Sequence, residues 1–452
     1  MTLRRSDFGD DFTWGVASAA FQIEGGHEAD GKRPSVWDEA GRRGRIRGGD
    51  VGNLAIDAFH RYEEDLDLIA ELGVNANRFS ISWPRVFGDG RGPWNAKGGD
   101  YYDRVIDGCL ERGLEPWVTV HHWDLPQALQ DEGGWTRRGI VEDFAAFAEE
   151  VARRYGDRVK HWMVFNEPLS VVGHIAGGIH SRLGPHPFQA LAATHHMNLA
   201  CAEAGRRMRR ALPADARIGT THVFSIQAPF DTDDAKLRRA QRALDAITMG
   251  MFLDPAAGLG YPFEATPLLA PMKRAIHDGD LDAVRFDYDF MGVQYYGPTP
   301  MRRAPIPGLG GIPLPTLRTA EANVRSTTGI PVEPEGLIEV LRRYRNHPSC
   351  RRFVITESGF GMKDRLVDGR VRDDLRIWYA RTHLEVLRRA KAEGLPVDGF
   401  FQWSYADNIE WIFGRDGRYG LVYIDYDDNL RRIPKDSYRW FRQLLTTAEG
   451  VD

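Results

Sequence analysis

Short apolar segments alternate eight times with longer segments of helical periodicity along this chain of 452 residues. The apolar segments, which we predict to be strands, are residues 12–18, 75–83, 115–122, 161–166, 217–225, 290–296, 353–357 and 399–404. Strands that alternate with helices, without hairpin spacing, are typical of a parallel sheet. The eight repeats therefore predict an α/β fold, a single (β/α)8 TIM barrel with extended βα loops that forms one domain over residues 1–452.

The segments between these predicted strands carry apolar residues at spacings of three and four, the period of an amphipathic helix. In the first segment the periodic residues are Ala55, Phe59, Tyr62, Leu66, Ile69 and Leu72. Comparable helical segments follow at 101–113, 141–156, 190–212, 336–347, 375–394 and 437–447. A doubly wound open sheet is the alternative arrangement, but no G-x-G-x-x-G sequence follows a predicted strand. The pattern thus favours the closed barrel.

The overall charge and the cysteine pattern argue against several classes of function. The formal net charge is −5, so no broad electrostatic attraction to nucleic acid or anionic lipid is expected. The sequence has no apolar signal segment and no run of eighteen apolar residues, which predicts a cytoplasmic protein. Cys109, Cys201 and Cys350 are widely spaced and form no C-x-x-C pair, a pattern that suits a reducing compartment without structural zinc.

Two of the predicted strands lead into a glutamate, Glu167 in one case and Glu357 in the other. The first glutamate is followed by Pro168, which disfavours helical geometry for the residue before it. In a (β/α)8 barrel the carboxyl ends of the strands build the active site, so both side chains are expected at one rim. Either glutamate alone is equally compatible with a salt bridge there. Together they indicate the paired carboxyl groups that cleave a glycosidic bond.

The other strand ends supply side chains that suit a sugar. Their Gln, His, Asn and Glu residues form directional hydrogen bonds with hydroxyls, and Trp403 and Trp411 offer flat apolar faces. The tryptophans are also compatible with packing in a large barrel. His121 and His122 are adjacent and so face opposite sides of a strand, which argues against a metal site. We expect His121 to face the helices and His122, near Asp124, to donate to a substrate hydroxyl.

Eight motifs, spread in order over nearly the whole chain, carry a resemblance to a known family. They are FTWGVASAAFQIEGG, PSVWDE, RFSISWPR, HHWDLPQAL, FNEP, ITESG, WSYADNIEW and GRYGLVYIDY. Through them the sequence resembles glycoside hydrolase family 1, the retaining β-glucosidase family. The resemblance implies a β-glucosidase, with activity on β-galactosides and β-fucosides also expected. It further implies small β-glucosides or β-linked oligosaccharides as substrates and no cofactor.

The resemblance also implies roles for individual residues. Glu167 in FNEP matches the general acid/base, and Glu357 in ITESG matches the nucleophile. Arg78 and Tyr296 match the residues that flank the nucleophile, with Asn166 beside them, and we expect both to lower the pKa of Glu357. Glu167, in a drier pocket, is expected to have a raised pKa and to carry a proton. The residues that match the family's sugar-binding set are Gln22, His122, Asn166, Trp403, Glu410 and Trp411.

The sequence departs from the family pattern near the nucleophile and in one loop. Ser358 and Gln294 stand where the family normally has asparagine, which leaves the tuning of Glu357 open. Residues 173–187 differ from the family's usual loop after the fourth strand, so the aglycone preference is not implied. The retaining reaction leads us to expect the carboxyl groups of Glu167 and Glu357 about 5 to 5.5 Å apart.

Several alternatives stay open at this point. A 6-phospho-β-glycosidase of the same family needs a cationic clamp, but Glu410 and Gly417 replace its serine and lysine, and only Tyr419 agrees. A catalytically inactive sugar-binding barrel is an alternative of another class, although both glutamates are present. Transglycosylation would use the same covalent intermediate as hydrolysis. The Pro- and Gly-rich segment 301–336 is either a lid or a surface insertion, and a homo-oligomer is neither implied nor excluded.

Overall fold

Eight parallel strands form a closed barrel in the computed structural model, which describes residues 2–180, 187–228, 233–302, 314–315 and 324–451. In chain order the strands are β1 (Thr13–Ala17), β2 (Ala76–Ser80), β3 (Glu115–His121), β4 (His161–Asn166), β5 (Arg217–Val223), β6 (Phe290–Gln294), β7 (Phe353–Ser358) and β8 (Val397–Trp403). Each strand pairs with its neighbours in sequence, and β1 pairs with both β2 and β8, which closes the sheet. The predicted (β/α)8 barrel is confirmed.

A layer of helices connects the strands. The main helices are α1 (Ala58–Glu71), α2 (Ala96–Glu111), α3 (Ile140–Tyr155), α4 (Pro187–Ala211), α5 (Ala235–Asp245), α6 (Glu335–Tyr344), α7 (Asp374–Ala392) and α8 (Asp436–Thr446). Shorter helices lie at Ala20–Ile23, Val36–Arg42, Trp83–Val86, Gln127–Asp131, Pro168–Ala176, Met251–Ala256 and Asp280–Ala283. Short strands outside the barrel are Gln227–Ala228, Thr299–Arg302, Leu314–Pro315, Leu366–Val367, Arg370–Val371, Val422–Asp425 and Arg431–Pro434.

The predicted elements differ from the observed ones where local backbone geometry intervenes. The second strand ends at Ser80 because Pro84 lies in the first turn of the short helix Trp83–Val86. Helix α1 begins at Ala58, three residues later than its apolar pattern, since Asp57 has a left-handed backbone conformation with φ of 58°. The predicted helical segments do not include α5, which continues through a π-helical turn, Ala246–Gly250, into the next short helix.

Aromatic side chains fill part of the barrel interior. Trp117 on β3 packs against Phe290 on β6 and Phe401 on β8, with ring centroids 5.5 and 5.0 Å away. A Cβ atom at Gly15 would collide with the ring of Phe401, and one at Gly219 would collide with Phe290. These two strand glycines therefore make room for the aromatic layer, where any larger residue would clash.

Three further features bear on the sequence predictions. Cys109, Cys201 and Cys350 are buried and free, so none of them forms a disulfide. Within the described part of the chain, none of the helices has the length and apolar character needed to span a bilayer. Most of the predicted lid or insertion, residues 303–313 and 316–323, lies outside the described residues.

Candidate active site

A cavity of about 340 Å³ opens at the carboxyl ends of the barrel strands. This volume lies in the range of small-molecule sites. The cavity is lined by all the predicted site residues except Arg78 and Gln22, namely His122, Asn166, Glu167, Tyr296, Glu357, Trp403, Glu410 and Trp411. The barrel thus brings together side chains that are far apart in the sequence. His122 and Trp411, for example, are separated by 289 residues. Among the described residues that line it, none is Lys or Arg.

Glu167 is held at the rim by the junction between β4 and the short helix Pro168–Ala176. Its backbone is left-handed, with φ of 45° and ψ of 68°, so Glu167 is outside helical geometry, as predicted from Pro168. Its N–H donates to the carbonyl of Thr221 on β5 at 2.9 Å, which ties this junction to the barrel. The carboxyl oxygen Oε2 accepts a hydrogen bond from the Ser170 hydroxyl at 2.6 Å.

The electrostatic surroundings of Glu167 favour its protonated form. Burial and the nearby charge of Glu357 raise the pKa of Glu167 to about 8, while Ser170 and Arg78 act in the opposite direction. The expectation of a raised pKa is confirmed. At neutral pH the Glu167 carboxyl group is therefore protonated in most of the protein molecules.

Glu357 near the end of β7 has hydrogen-bond donors on both carboxylate oxygens. Oε1 accepts from the guanidinium of Arg78 and from the side-chain amide of Gln294, the latter at 2.5 Å. Oε2 accepts from the Tyr296 hydroxyl at 2.7 Å. Charge-assisted hydrogen bonds of this kind stabilise the ionised form and fix the orientation of the carboxylate. The site therefore fixes the orientation of the Glu357 carboxylate and stabilises its ionised form.

The pKa of Glu357 reflects two opposing effects. Burial raises the pKa above its ordinary value, whereas the Arg78 charge and the Tyr296 hydrogen bond lower it. The predicted effect of these two residues is confirmed in direction. Their combined effect is nevertheless smaller than that of burial, so the net shift of the Glu357 pKa is upward.

Arg78 on β2 lies behind the cavity and joins several strands. Its Nε donates to the Thr119 hydroxyl at 3.1 Å, and Nη1 donates to the carbonyl of Thr356 at 3.1 Å. Nη2 donates to Oδ1 of Asn166 at 2.6 Å. Because Arg78 is completely buried, the guanidinium and its acceptors form one fixed unit behind Glu357.

Asn166 and His122 form a second hydrogen-bonded pair. The Asn166 amide nitrogen faces Nε2 of His122 at 3.0 Å. An amide nitrogen is only a donor, so Nε2 accepts and the hydrogen of the neutral imidazole lies on Nδ1. Burial and the Arg78 charge lower the pKa of His122 well below its ordinary value, which keeps the ring neutral. The His122 ring stacks near Trp403 and Trp411, at centroid distances of 5.8 and 5.7 Å.

The neighbouring His121 faces the helix layer, as predicted. Its ring packs against Trp83, Phe144 and Phe165. Asp124 lies 4.0 Å from Nδ1 of His121. In the ranges that the structure describes, no group of three His, Cys, Asp or Glu side chains has the arrangement of a metal site.

Of the remaining predicted sugar-binding residues, Glu410 lines the cavity and Gln22 does not. Burial and the charge of Glu357 raise the pKa of Glu410 to about 8. Gln22 lies beside this loop, with its amide donating to the carbonyl of Ile409 at 2.8 Å and to Asn408 at 3.2 Å. Buried polar atoms normally have partners, so those without one indicate places for a ligand. Within the described residues, Gln22 Oε1, His122 Nδ1 and Glu410 Oε2 are such atoms.

The two departures from the family pattern have different consequences. Gln294 contacts Glu357 directly and also donates to Oδ1 of Asn166 at 2.7 Å. The Ser358 hydroxyl instead lies 3.1 Å from the Tyr379 hydroxyl. The structure thus connects Gln294, but not the Ser358 hydroxyl, to the carboxylate.

Sequence reasoning missed some residues of the cavity. Ser170 was not singled out, although it is the third residue of the helix that follows the N-cap Glu167, a position from which its side chain can reach the N-cap residue. Trp123 and Thr328 also line the cavity, and the latter lies in the described end of the Pro- and Gly-rich segment. Trp123 lies within the motif HHWDLPQAL, whereas no local pattern distinguishes Thr328 from ordinary loop residues.

Comparisons with known proteins agree with this architecture. The model of glycosyl hydrolase family 1 matches residues 4–450. A β-glucosidase from Agrobacterium sp. (strain ATCC 21400) is 38% identical, over 97% of this chain and 95% of that protein. An aryl-phospho-β-D-glucosidase from Bacillus subtilis (strain 168) is 36% identical, over 97% of each. The solved β-glucosidase from Thermotoga maritima in complex with glucoimidazole has a TM-score of 0.89 and 34% identity, over 98% of this chain and 99% of that one.

The extent of these matches identifies the protein class. The family model and the β-glucosidase relatives cover nearly the whole chain, and the solved structure shares its barrel. The predicted family and the predicted glycoside hydrolase of β-glucosidase type are therefore confirmed. The chain belongs to glycosyl hydrolase family 1.

Proposed function

We propose that this glycoside hydrolase is a retaining β-glucosidase in which Glu357 is the nucleophile and Glu167 the general acid/base. The main support is the contrast between two carboxyl groups in one cavity. Glu357 is next to the Arg78 guanidinium and the Tyr296 hydroxyl, whereas Glu167 has a pKa raised to about 8. One ionised and one protonated carboxyl group at neutral pH are what glycoside cleavage requires.

In the first step an oxygen of Glu357 attacks the anomeric carbon. The bond from that carbon to the aglycone oxygen breaks, and the departing oxygen takes the proton of Glu167. The products of this step are a free aglycone alcohol and a sugar joined to Glu357 by an ester bond. Gln294 and Arg78 on Oε1 and Tyr296 on Oε2 orient the carboxylate for the attack.

In the second step water replaces Glu357 at the anomeric carbon. Glu167, now a carboxylate, accepts a proton from the water as the new carbon–oxygen bond forms. The ester bond breaks, Glu357 leaves as a carboxylate, and Glu167 is again protonated. Two displacements on opposite faces give a product with the anomeric configuration of the substrate.

The proposed substrates are terminal non-reducing β-D-glucosides, with β-galactosides and β-fucosides as further candidates. The donor Nδ1 of His122 and the acceptors Gln22 Oε1 and Glu410 Oε2 offer hydrogen bonds to sugar hydroxyls. Trp403 and Trp411 offer aromatic faces to the apolar side of the ring. A panel of aryl β-glycosides with short β-linked glucans tests this preference, and a faster reaction on galactosides would revise it.

The phosphorylated substrate is the nearest alternative, since one relative is named as a phospho-glucosidase. Phosphate groups are usually bound by Arg or Lys, and the described lining of this cavity has neither. Glu410 would also repel a phosphate when ionised. Comparing the rates of hydrolysis of 4-nitrophenyl β-glucoside and its 6-phosphate decides between the two substrates. Faster cleavage of the 6-phosphoglucoside would overturn the proposed preference for the unphosphorylated glucoside.

An inactive sugar-binding barrel is the alternative of another class. We expect Glu357→Ala to abolish turnover of aryl β-glucosides, and added azide to restore it with an α-glucosyl azide as the product. Azide takes the place of the missing carboxylate in this variant, so only one displacement occurs and the configuration inverts. A wild-type protein that is inert on every aryl β-glycoside would favour the binding barrel.

We also propose that the chain is a single catalytic domain that works in the cytoplasm. The family match over residues 4–450 supports one domain. Three buried free cysteines suit a reducing compartment, where disulfides are rare. Limited proteolysis and fractionation of the source cells test these two points.

A further inference from the structure

Ser170 lies close to the carboxyl group of Glu167 and also lines the cavity. The distance from Ser170 Oγ to Oε2 of Glu167 is 2.6 Å, which is typical of a hydroxyl that donates to a carboxylate. The backbone N–H of Ser170 donates to the carbonyl of Glu167 at 3.0 Å. The two residues are therefore joined through both side chain and backbone.

The start of the short helix Pro168–Ala176 explains this geometry. Glu167 occupies the N-cap position, and Ser170 is the third residue of the helix, a position from which a side chain can reach back to the N-cap residue. An N-cap side chain commonly accepts a hydrogen bond from a backbone N–H of the first turn, but Glu167 makes no such bond. Its carboxyl group points to the cavity instead, and the Ser170 hydroxyl meets it there.

Ser170 is the one side chain in the described ranges that hydrogen-bonds to the Glu167 carboxyl group. Glu357, in contrast, is held by three side chains. Several titratable or charged groups line the cavity or lie directly behind it. They are Arg78 from β2, His122 after β3, Tyr296 after β6, Glu357 on β7, Glu410 after β8, and His174 on the short helix itself.

We propose that Ser170 is the positioning residue of the general acid/base, an inference that rests on the proposed role of Glu167. Its hydroxyl occupies Oε2 and thereby leaves Oε1 to carry the proton that goes to the aglycone oxygen. In the second step the same hydroxyl stabilises the Glu167 carboxylate while it waits for the proton of water. Donation to the ionised form also holds the pKa of Glu167 below the value that burial alone would produce.

The experiment compares two substrates that differ in their need for the acid. Phenyl β-glucoside has a poor leaving group that must be protonated, whereas 2,4-dinitrophenyl β-glucoside has one that leaves without a proton. For Ser170→Ala we expect kcat/KM on the phenyl glucoside to fall about tenfold. On the dinitrophenyl glucoside we expect a change of less than about twofold.

The pH profile and two further variants separate positioning from a structural role. The alkaline limb of kcat/KM should move up by about one pH unit in Ser170→Ala, because the donor to the ionised carboxylate is gone. Ser170→Thr keeps the hydroxyl, so its kcat/KM on the phenyl glucoside and the pH of its alkaline limb should match those of the wild type. Ser170→Cys keeps the size with a weak donor, and should behave like Ser170→Ala. Thermal unfolding of each variant checks that the fold is intact.

Glu167→Ala distinguishes failure of this inference from failure of the proposed function. If Glu167→Ala retains full activity on the phenyl glucoside, the role of Glu167 itself is wrong. If Glu167→Ala loses that activity while Ser170→Ala matches the wild type in rate and in alkaline limb, only the role of Ser170 is wrong. An equal loss on both substrates in Ser170→Ala, with an unmoved limb, would likewise contradict positioning.

Discussion

The side-chain amide of Gln294 donates to Oε1 of Glu357 across 2.5 Å and so joins the end of β6 to the carboxylate on β7. Gln294→Leu removes this donor at nearly constant size. We expect kcat/KM on aryl β-glucosides to fall about tenfold, the effect of one hydrogen bond to a charged group. The acidic limb of kcat/KM should move to higher pH, because the ionised form of Glu357 loses a donor.

A matched control for Gln294 is the neighbouring residue Ser358. The hydroxyl of Ser358 faces Tyr379 instead of the Glu357 carboxylate, so Ser358→Ala should leave the acidic limb in place. The assignment of Gln294 as a donor to Glu357 would be contradicted if the acidic limb shifted in Ser358→Ala. It would also be contradicted if the limb did not shift in Gln294→Leu.

Arg78 should be more important than any other partner of Glu357. Arg78→Met removes one buried donor from each of Glu357, Asn166 and Thr119, and breaking a buried ion pair costs about 3 to 5 kcal/mol. We expect kcat/KM to fall about 10²- to 10³-fold. Arg78→Lys keeps the charge but loses the planar fork, and should be intermediate. Steady-state kinetics on one aryl β-glucoside should give the highest kcat/KM for the wild type, a lower value for Arg78→Lys and the lowest for Arg78→Met. Equal values for the three proteins would refute this prediction.

The pH dependence should report the raised pKa of Glu167. If Glu167 is the general acid, as we propose, kcat/KM should fall as the pH rises through about 8, because Glu167 loses its proton there. The charge of Glu357 contributes to this raised pKa, so Glu357→Gln should lower the pKa of Glu167. Titration of labelled glutamate by NMR in the variant measures this value. An unchanged or higher pKa would show that burial alone sets it.

Lys435 should contribute strongly to stability. It donates to Asp407 at 2.6 Å and to Asp364 at 2.5 Å, and all three side chains are completely buried. Asp407 lies in the loop that carries Glu410, so the ion pair also anchors the cavity. Lys435→Met leaves two buried carboxylates short of a partner and should lower the free energy of unfolding by about 3 to 5 kcal/mol. The urea midpoint measures this change.

The exposed pair of Lys160 and Asp215 is the control for Lys435. These side chains are 3.3 Å apart, and more than half of each is exposed. Lys160→Met should change the free energy of unfolding by less than about 1 kcal/mol. Similar effects of the two substitutions would mean that the buried pair contributes no more than a surface one.

The stereochemical outcome tests the relation between the two catalytic candidates. Retention corresponds to carboxyl groups about 5 to 5.5 Å apart, and inversion to about 6.5 to 9.5 Å. We expect NMR of an early reaction mixture to show β-glucose before mutarotation. Early α-glucose would indicate inversion and would remove the nucleophile role from Glu357.

Much of the architecture was readable from local patterns. Most barrel strands are short and rich in apolar or β-branched residues, so eight strand segments could be recognised one at a time, and their ends located Glu167 and Glu357. The resemblance to the family then supplied the roles of residues such as Arg78 and Tyr296, both of which contact Glu357. The start of α1 was missed because a left-handed residue leaves no trace in apolar periodicity. Helix α5 was also missed, although Leu237, Ala240 and Leu244 recur at helical spacing.

The sequence by itself determined the barrel, the family and the two glutamates, because strand periodicity and motif order are properties of neighbouring residues. Only the tertiary structure showed that Gln294 donates to Glu357 and that Ser170 donates to Glu167. Gln294 and Glu357 are 63 residues apart, and their contact depends on the barrel closing with β6 beside β7. The balance of pKa effects on Glu357 was also decided there, since burial is set by the surrounding chain as a whole and by no segment alone.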